Sequence, residues 1–294
     1  MTLMIDFPFP GAGPWVEHFK EVELPVLRHT MHQLAELRDE AETINTRKLA
    51  SIIEHDPLMT LRVYQFMKAR RNKSQMAEIT TIERALMMMG THCFYENFMD
   101  LPIIEQQLKT YPKAMLGLLK VIARSRHAWT WSRDWALLRQ NTTFDEIAMA
   151  ALLHDCVEIL MWCFAPNLSI RAQDRLKAKP GQRTATVQNE VFGASFEKIL
   201  IELCEQWGLP QLLLTLLNPN DAESANVLNV RYAVDLARHV GNGWNDPALP
   251  DDYRAIEALL HIGHSNFLER IGAPEEQIIA ARAAEMAEDE GLSF

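Results

Sequence analysis

The chain lacks the short motifs that mark common phosphate-binding loops and hydrolase sites. It has no G-x-x-x-x-G-K-[ST] loop, no G-x-G-x-x-G turn, no G-x-S-x-G elbow and no H-E-x-x-H pair. In each of these motifs the spacing brings backbone amides, a nucleophile or metal ligands to one point. P-loop nucleotide hydrolysis, Rossmann-type dinucleotide binding and serine-hydrolase chemistry therefore have no support in this sequence.

Cysteine is also scarce, and long uncharged apolar runs are missing. The four cysteines form no C-x-x-C pair and are too few, in 294 residues, for a disulfide framework. The N-terminal segment has no basic region and is interrupted by Pro8, Pro10 and Pro14, unlike a signal peptide. No uncharged apolar run reaches the roughly 18 residues of a membrane span. These absences predict a cytoplasmic protein without a membrane segment.

Basic residues are outnumbered by acidic ones. Lys and Arg number 29 against 39 Asp and Glu, which gives a net charge of −10 and a pI near 5.5. The long-range field of such a chain repels phosphates, so we expect no general binding to nucleic acid or to an anionic membrane. The most basic stretch, KARRNK at residues 68–73, is more typical of a solvated surface segment than of a binding patch.

Apolar residues at helical spacing are abundant. Hydrophobic residues make up 48% of the chain, which is ample for a buried core. They recur three or four positions apart nearly everywhere, as Leu49, Ile52 and Ile53 do. The pattern predicts an all-α fold, built as one large domain or as two tightly packed lobes.

Helix start and stop signals support this prediction. Asp56-Pro57 pairs an N-cap residue with a proline at the first helical position. The sequence from Thr143 to Glu146 is a capping box, and W-G-L-P at residues 207–210 is typical of a tight turn between helices. We expect helices at residues 15–20, 28–42, 46–54, 57–70, 80–89, 91–99, 113–138, 144–164, 167–177, 184–207, 210–217, 223–241, 251–262 and 274–289.

The stretch ALLHDCVEIL places His154 and Asp155 side by side in an otherwise apolar helix, predicted over residues 144–164. Burying a carboxylate costs several kcal/mol unless the group is paired or bound to a metal. The dyad therefore needs partners, and other helices must supply them.

Two other segments offer such partners. His127 shares an apolar face with Trp131 and Trp135, and we expect that face to point inward. Asp235 lies among apolar residues of a later helix. Histidine nitrogens and carboxylates suit a divalent transition metal, although a hydrogen-bonded core histidine is the more common role for a residue such as His127. The candidate metal ligands are His127, His154, Asp155 and Asp235.

Five segments of the chain are similar, in their order and spacing, to segments of one known family. They are LPVLRHTMHQLAEL, KLASIIEHDPLMTLRVYQFM, TTIERALMMMG, ALLHDCVEIL and EQWGLPQLLL, and they span about Leu24 to Leu217. They resemble the L-P-x-L opening, the D-P-x-L-T helix pair and the S-I-x-x-A-I-x-x-L-G, G-L-L-H-D-I-G-K-L and W-G-L-P segments of the HDOD family. These HD-related output domains derive from the HD superfamily of metal-dependent phosphohydrolases.

The resemblance implies a compact all-helical fold in which an N-terminal helical lobe packs on an HD-like lobe. We expect an extension over residues 1–20, the first lobe over 21–112 and the HD-like lobe with C-terminal helices over 113–294, as one integrated unit. The resemblance also implies a non-catalytic bacterial signal-transduction module that acts through protein–protein contacts or a regulatory ligand. Its partner would be a signalling protein, and homo-oligomerisation is left open.

Departures from the active HD pattern favour loss of catalysis. Active enzymes commonly continue the dyad helix with a glycine and a lysine, whereas this chain has Val157 and Glu158, so an anion replaces a cation beside the phosphate site. Phe196 or Ser195, and later Asn218, stand where related sequences carry histidines. We therefore expect no catalytic residue, no cofactor and no bound metal. The vestiges of the metal site would be His127, His154, Asp155 and Asp235.

Two alternatives stay open. A metal-dependent phosphohydrolase with a reduced site would hold one divalent transition metal on the same four residues, to polarise a phosphoryl oxygen and supply hydroxide. A nucleotide or small-molecule sensor would use the vestigial cleft without turnover, with Trp129, Trp131 and Trp135 stacking on a base. Core packing is the more common role of such tryptophans.

Overall fold

The computed structural model describes residues 4–40, 45–70, 78–179, 181–218, 220–221 and 223–291. Over these ranges the chain forms helices and one isolated parallel bridge between Val26 and Ile103, which confirms the all-α prediction. The helices are α1 (Ala12–Glu21), α2 (Arg28–Glu40), α3 (Thr46–Ile53), α4 (Pro57–Arg70), α5 (Ile82–Met89), α6 (Thr91–Phe98), α7 (Ile104–Gln107), α8 (Pro112–Leu138), α9 (Phe144–Leu153), α10 (Cys156–Phe164), α11 (Pro166–Ala178), α12 (Thr184–Phe192), α13 (Phe196–Trp207), α14 (Gln211–Leu217), α15 (Ala225–Val240), α16 (Leu249–Leu260), α17 (His264–Ile271) and α18 (Glu275–Gly291).

Helices form where the apolar spacing predicts them, with four differences. The predicted helix over 144–164 is divided into α9 and α10 at His154 and Asp155. The predicted helix over 184–207 is divided into α12 and α13, because Gly193 takes a left-handed conformation with φ 71° and ends α12. The short helices α7 and α17 form where none is predicted. Periodicity misses such breaks because both halves direct apolar faces to the same core.

The side chain of Asp56 explains the D-P-x-L-T segment. It is fully buried, and its Oδ1 accepts hydrogen bonds from the amides of Leu58 and Met59, both at 3.1 Å, at the start of α4. Its Oδ2 accepts from the Leu27 amide and the Thr30 hydroxyl, both at 2.9 Å, at the start of α2. One carboxylate therefore satisfies amides at two helix starts and ties α2 to α4.

The capping box predicted at the start of α9 does not form. Thr143 is the N-cap residue, but its side chain makes no capping bond. Instead its hydroxyl and its amide both donate to Oδ1 of Asn141 at 2.8 Å. Glu146 accepts a 2.7 Å hydrogen bond from Oγ1 of Thr80, a residue of the segment before α5. Tertiary contacts thus replace the local motif.

The turn predicted at residues 207–210 forms at the end of α13. Gly208 adopts φ 71°, and its amide donates to the Glu205 carbonyl at 3.1 Å. Nζ of Lys68 donates to the same carbonyl at 3.4 Å and to the Gln206 carbonyl, so a side chain of α4 caps α13. Lys68 opens the basic stretch noted in the sequence, whose last three residues lie outside the described ranges.

The long helix α8 lies at the centre of the fold and packs against α9, α10, α11 and α15. Gly117 permits this close packing, since a Cβ there would lie 2.5 Å from Cη2 of Trp162. One buried hydrophobic core contains residues of all three predicted parts, 1–20, 21–112 and 113–294. This shared core agrees with an integrated unit, and the boundaries between the parts stay a prediction.

One stretch, Phe144–Phe164, is long and apolar enough to cross a membrane by length and composition alone. In the folded chain it forms α9 and α10, and 89% of its apolar window is buried inside the protein. Such burial is characteristic of the core helices of a soluble protein, which pass the same test of hydropathy.

Candidate functional site

His154 and Asp155 occupy the junction between α9 and α10. His154 follows α9 with φ −53° and ψ −43°, and Asp155 precedes α10 with φ −93° and ψ 14°. The two side chains meet at this junction, where Nδ1 of His154 lies 3.0 Å from Oδ1 of Asp155. Asp155 is only 8% exposed, whereas the His154 side chain keeps 32% of its surface accessible. The dyad is thus a buried carboxylate beside a half-buried imidazole.

The Asp155 carboxylate is paired with two arginines. Nε of Arg124, on α8, donates to Oδ2 at 2.7 Å, and Nη2 of Arg238, on α15, donates to Oδ1 at 3.3 Å. Burial by itself raises the pKa of Asp155. The charges of Arg124 and Arg238, with the His154 hydrogen bond, outweigh that effect and hold the pKa of Asp155 well below its usual value. Asp155 is therefore ionised, and both of its oxygens are occupied.

Glu158 completes the arginine pairing one turn along α10. Nη2 of Arg124 donates to its Oε2 at 2.6 Å, and Nε2 of Gln188, on α12, donates to the same oxygen at 3.2 Å. Burial lowers the pKa of Arg124, but the adjacent Asp155 and Glu158 carboxylates raise it above the ordinary arginine value. Arg124 thus bridges two carboxylates, and the anion that stands in place of the family's lysine has a structural partner.

Arg238 links the buried pair to the more exposed Asp235. Its Nη1 lies 3.5 Å from Oδ1 of Asp235, whose side chain is 39% exposed. Burial raises the pKa of Asp235, although Arg238 and His154 act against that shift. The Nε atom of Arg238 is buried and has no hydrogen-bond partner among the residues that the structure describes. Arg238 therefore bridges Asp235 and Asp155, since its guanidinium group pairs with both carboxylates.

A second histidine–carboxylate pair lies on α15 beside this cluster. Nδ1 of His239 is 2.5 Å from Oδ2 of Asp252, on α16. The hydrogen bond to Asp252 raises the pKa of His239, and burial opposes that shift. His239 and Asp252 also act on the pKa of Asp235, so the charged cluster extends from α8 across α10 and α15 to α16.

Sequence reasoning missed the residues that hold the dyad. Arg124 precedes Asp155 by 31 positions and Arg238 follows it by 83, so no local pattern connects them. A weak signal exists for one of them, because Arg238 stands three residues after Asp235 and such residues are neighbours on a helix. The sequence marks Glu158 as a departure from that lysine, and the structure adds that Glu158 is a partner of Arg124.

The prediction for His127 is wrong in its orientation. His127 is exposed on α8, with its ring 5.3 Å from that of Trp131, whereas Trp131 and Trp135 are buried at 6% and 0% exposure. His127 lies at the edge of the tryptophan face and not within it. The burial of both tryptophans agrees with core packing, and Trp129 is half-buried beneath Arg133.

The donor set does not fit a divalent metal ion. A metal centre needs free lone pairs from several convergent side chains. Both oxygens of Asp155 accept hydrogen bonds from arginines, and His127 is exposed to solvent. The part of the chain that the structure describes contains no group of three or more His, Cys, Asp or Glu placed to hold an ion. The expectation that no metal binds nevertheless stays a prediction until metal content is measured.

Known structures share this fold. A MmoQ response regulator from Methylococcus capsulatus is 18% identical, with 82% of this chain and 98% of that chain covered and a TM-score of 0.62. A virulence factor from Campylobacter jejuni is 21% identical, with 89% of this chain and 96% of that chain covered and a TM-score of 0.66. Identities this low establish the fold alone. A search of curated proteins found no significant match.

The family is established by a different comparison. The family model described as "HDOD domain" matches residues 24–221, which is well over half of the chain. The matched range contains the buried Asp56 cap, the His154–Asp155 junction and the turn at residues 207–210. It also contains Arg124 and Glu158, whereas Arg238 and Asp235 lie beyond it on α15. The chain belongs to the HDOD domain family.

Proposed function

We propose that this protein is a non-catalytic signal-transduction module that acts by binding another protein. The observation that carries the proposal is the pairing of Asp155, whose two oxygens accept hydrogen bonds from Arg124 and Arg238. The carboxylate most needed for metal-dependent hydrolysis is thereby committed to holding α8, α10 and α15 together.

Charge balance argues against hydrolysis at this cluster. A divalent ion placed at Asp155 would lie beside the guanidinium groups of Arg124 and Arg238, and like charges in a partly buried site repel strongly. Displacing Arg124 would also leave Glu158 with Gln188 as its remaining hydrogen-bond partner. Both costs oppose metal entry, and they support a structural role for the dyad.

The cluster gives the module a rigid frame. Arg124 joins α8 to α10 through two carboxylates, Gln188 adds α12, and Arg238 adds α15. Buried charged hydrogen bonds of this kind fix the relative positions of helices because breaking them leaves unpaired charges. A fixed arrangement of helices presents a constant outer surface, which suits recognition of a protein partner.

The comparisons support signalling as the setting. The MmoQ protein that shares this fold is described as a response regulator. We therefore infer that the partner is a signalling protein. Its identity would come from affinity capture with the intact chain, followed by reconstitution of the complex from purified components.

Metal content and turnover of a generic phosphodiester, bis(p-nitrophenyl) phosphate, test the non-catalytic part of the proposal. We expect the purified protein to hold no stoichiometric metal, to gain none on incubation with Mn²⁺, and to show no turnover. His154→Ala should lower the melting temperature without altering either result. His92→Ala is the matched control, because the His92 side chain is 91% exposed and, among the described residues, pairs only with Glu96 on its own helix.

Two outcomes would decide against the proposal. Stoichiometric metal that is lost in His154→Ala together with turnover would establish the reduced phosphohydrolase. Thermal stabilisation by a nucleotide, without product, would instead identify a small-molecule sensor, since a ligand that binds the native state raises its stability.

A further inference from the structure

The N-terminal half of α8 carries an apolar stripe on its outer face. Leu116 is 60% exposed and Leu119 is 42% exposed, and Ala123 continues the stripe one turn later. Lys113 and Lys120 are exposed on the same face. Residues three, four and seven positions apart share one side of a helix, so these five residues form a continuous basic-flanked surface, here called the α8 stripe.

The C-terminal helix α18 carries a second outward stripe of opposite charge. Ile279 is 57% exposed and Met286 is 65% exposed, with exposed Ala283 between them and exposed Glu275 and Glu276 at the start of the helix. These five residues are called the α18 stripe; the exposed Arg282 lies on the same face and is paired with Glu269 of α17. Ile279 and Met286 stand two helical turns apart on one exposed face with Ala283 between them, and a contiguous apolar patch of this kind marks a candidate contact surface.

The inner face of α18 is already anchored, so the outer stripe is not needed for docking within the chain. Ala281 is buried, and Glu285 accepts hydrogen bonds from the amide and the hydroxyl of Ser265 at 3.0 and 2.6 Å. The α18 stripe lies beyond residues 24–221, which the family description covers. Its apolar residues therefore lie outside the part of the chain that the family match covers.

The charges of the two stripes are free to pair. Within the described ranges, Lys113 and Lys120 form no ion pair, and neither do Glu275 and Glu276. An α18 stripe packed on a second α18 stripe would set glutamates against glutamates. An α8 stripe packed on another α8 stripe would likewise set lysines against lysines. The two different stripes are complementary to each other.

The residue spacing of the stripes also matches in parallel orientation. Glu276, Ile279, Ala283 and Met286 stand at intervals of three, four and three residues, and so do Lys113, Leu116, Lys120 and Ala123. This alternation is the repeat of paired helices. In that register Glu276 faces Lys113, Ile279 faces Leu116, Ala283 faces Lys120, and the long Met286 faces the small Ala123.

Within one chain the two stripes do not cover each other, since Leu116 and Ile279 both stay exposed. Arg270 of α17, the helix before α18, pairs with Asp134 of α8 at 3.1 Å. Asp134 lies about 27 Å along α8 from Leu116 at the helical rise of 1.5 Å per residue. The α17 helix, which leads into α18, is therefore tied to the end of α8 that lies away from the α8 stripe. We propose that the α18 stripe of one copy binds the α8 stripe of a second copy, in a head-to-tail contact between identical chains.

A contact between two short helix faces lies at the small end of protein interfaces, so the association should be weak and sensitive to salt. Sedimentation velocity at low ionic strength is the direct measurement. We expect the average mass of the wild-type protein to rise with concentration, up to about 0.1 mM, and to fall again in high salt.

Charge reversal tests the pairing. The variants Lys113→Glu/Lys120→Glu and Glu275→Lys/Glu276→Lys should each weaken association by about tenfold or more, because like charges then face each other. Combining all four changes in one chain should restore it. Lys198→Glu is the matched control, since Lys198 is exposed on α13 and lies in neither stripe. Unchanged melting temperatures would show that each variant is folded.

Mixing distinguishes this contact from a symmetric dimer. Leu116→Glu and Met286→Glu should each be monomeric alone, and an equimolar mixture should form a one-to-one pair, because one intact stripe of each kind remains. The proposal is overturned by a wild-type protein that stays monomeric, by association indifferent to charge reversal, or by self-association of either single variant. These results are independent of metal content and turnover, so they do not depend on the proposed function.

Discussion

Arg124 donates a 2.7 Å hydrogen bond to Asp155, and the two residues hold α8 against the junction of α9 and α10. The same guanidinium reaches Glu158 at 2.6 Å, so one cation balances two carboxylates. This relationship makes Arg124 the residue on which the order of the dyad depends.

Arg124→Ala should destabilise the protein by about 3–5 kcal/mol, because it leaves the buried Asp155 and the partly buried Glu158 without their main cation. The free energy of unfolding in urea measures this loss. Arg254→Ala is the control, since that side chain is 76% exposed and pairs with exposed Asp251, and it should cost less than about 1 kcal/mol. A loss of similar size in both variants would contradict the structural role of the buried pair.

Asp155 should make stability depend on pH on the acid side. Because its pKa in the folded protein lies well below the ordinary value, its contribution is fully present above about pH 4 and is lost as pH falls further. Asp155→Asn should flatten this part of the curve of unfolding free energy against pH. Asp134→Asn is the control, because the Asp134 carboxylate pairs with Arg270 at a 41% exposed position.

The contrast between Asp56 and His127 shows what the sequence could predict. Asp56-Pro57 is a local signal, since a cap and an N1 proline act within one turn, and the structure places the cap as predicted. The face of His127 was recognised from four-residue spacing, but spacing does not say where a buried face ends. His127 lies at that edge and is exposed.

The break between α9 and α10 had no local signal, and neither did the pairing of Asp155 with Arg124 and Arg238. Residues 154–155 contain neither glycine nor proline, and Asp155 leaves the helix by a modest change to ψ 14°. Its partners are 31 and 83 residues away, so only the packing of α8 and α15 on α9 and α10 brings them to it. The resemblance to HDOD proteins predicted the fold correctly, and the contacts of the dyad required coordinates.

Glu54 should oppose stability at higher pH. Burial and the nearby Asp145 charge raise its pKa from 4.5 to about 7, against the effect of Arg133. A carboxyl group whose pKa is higher in the folded protein than in the unfolded chain stabilises the fold most at a pH below its unfolded-state pKa. That contribution is lost as pH rises through about 7. The free energy of unfolding of Glu54→Gln, taken relative to that of the wild type, should therefore rise by about 1–2 kcal/mol from pH 5 to pH 8.

Thermal or urea unfolding at these two pH values checks the Glu54 prediction. Glu36→Gln is the control, because the Glu36 side chain is 57% exposed. A relative gain of equal size in both variants would show that overall charge, and not the burial of Glu54, controls the effect.

Asp56→Ala should be among the most damaging single substitutions in the chain. It would leave the Leu27, Leu58 and Met59 amides and the Thr30 hydroxyl without their acceptor in a fully buried site. An exposed N-cap is worth about 1 kcal/mol, whereas each buried unsatisfied group costs about 1–3 kcal/mol. We therefore expect a loss of at least about 3 kcal/mol in the free energy of unfolding.

Asn45→Ala provides the comparison, because Asn45 caps α3 by accepting from the Arg47 amide at 2.9 Å in an exposed position. It should cost about 1 kcal/mol. If Asp56→Ala costs no more than Asn45→Ala, then Asp56 acts as an ordinary cap and does not tie α2 to α4. Asp56→Asn separates the two roles, because its single amide oxygen can accept at only one helix start, and it should fall between the two alanine variants.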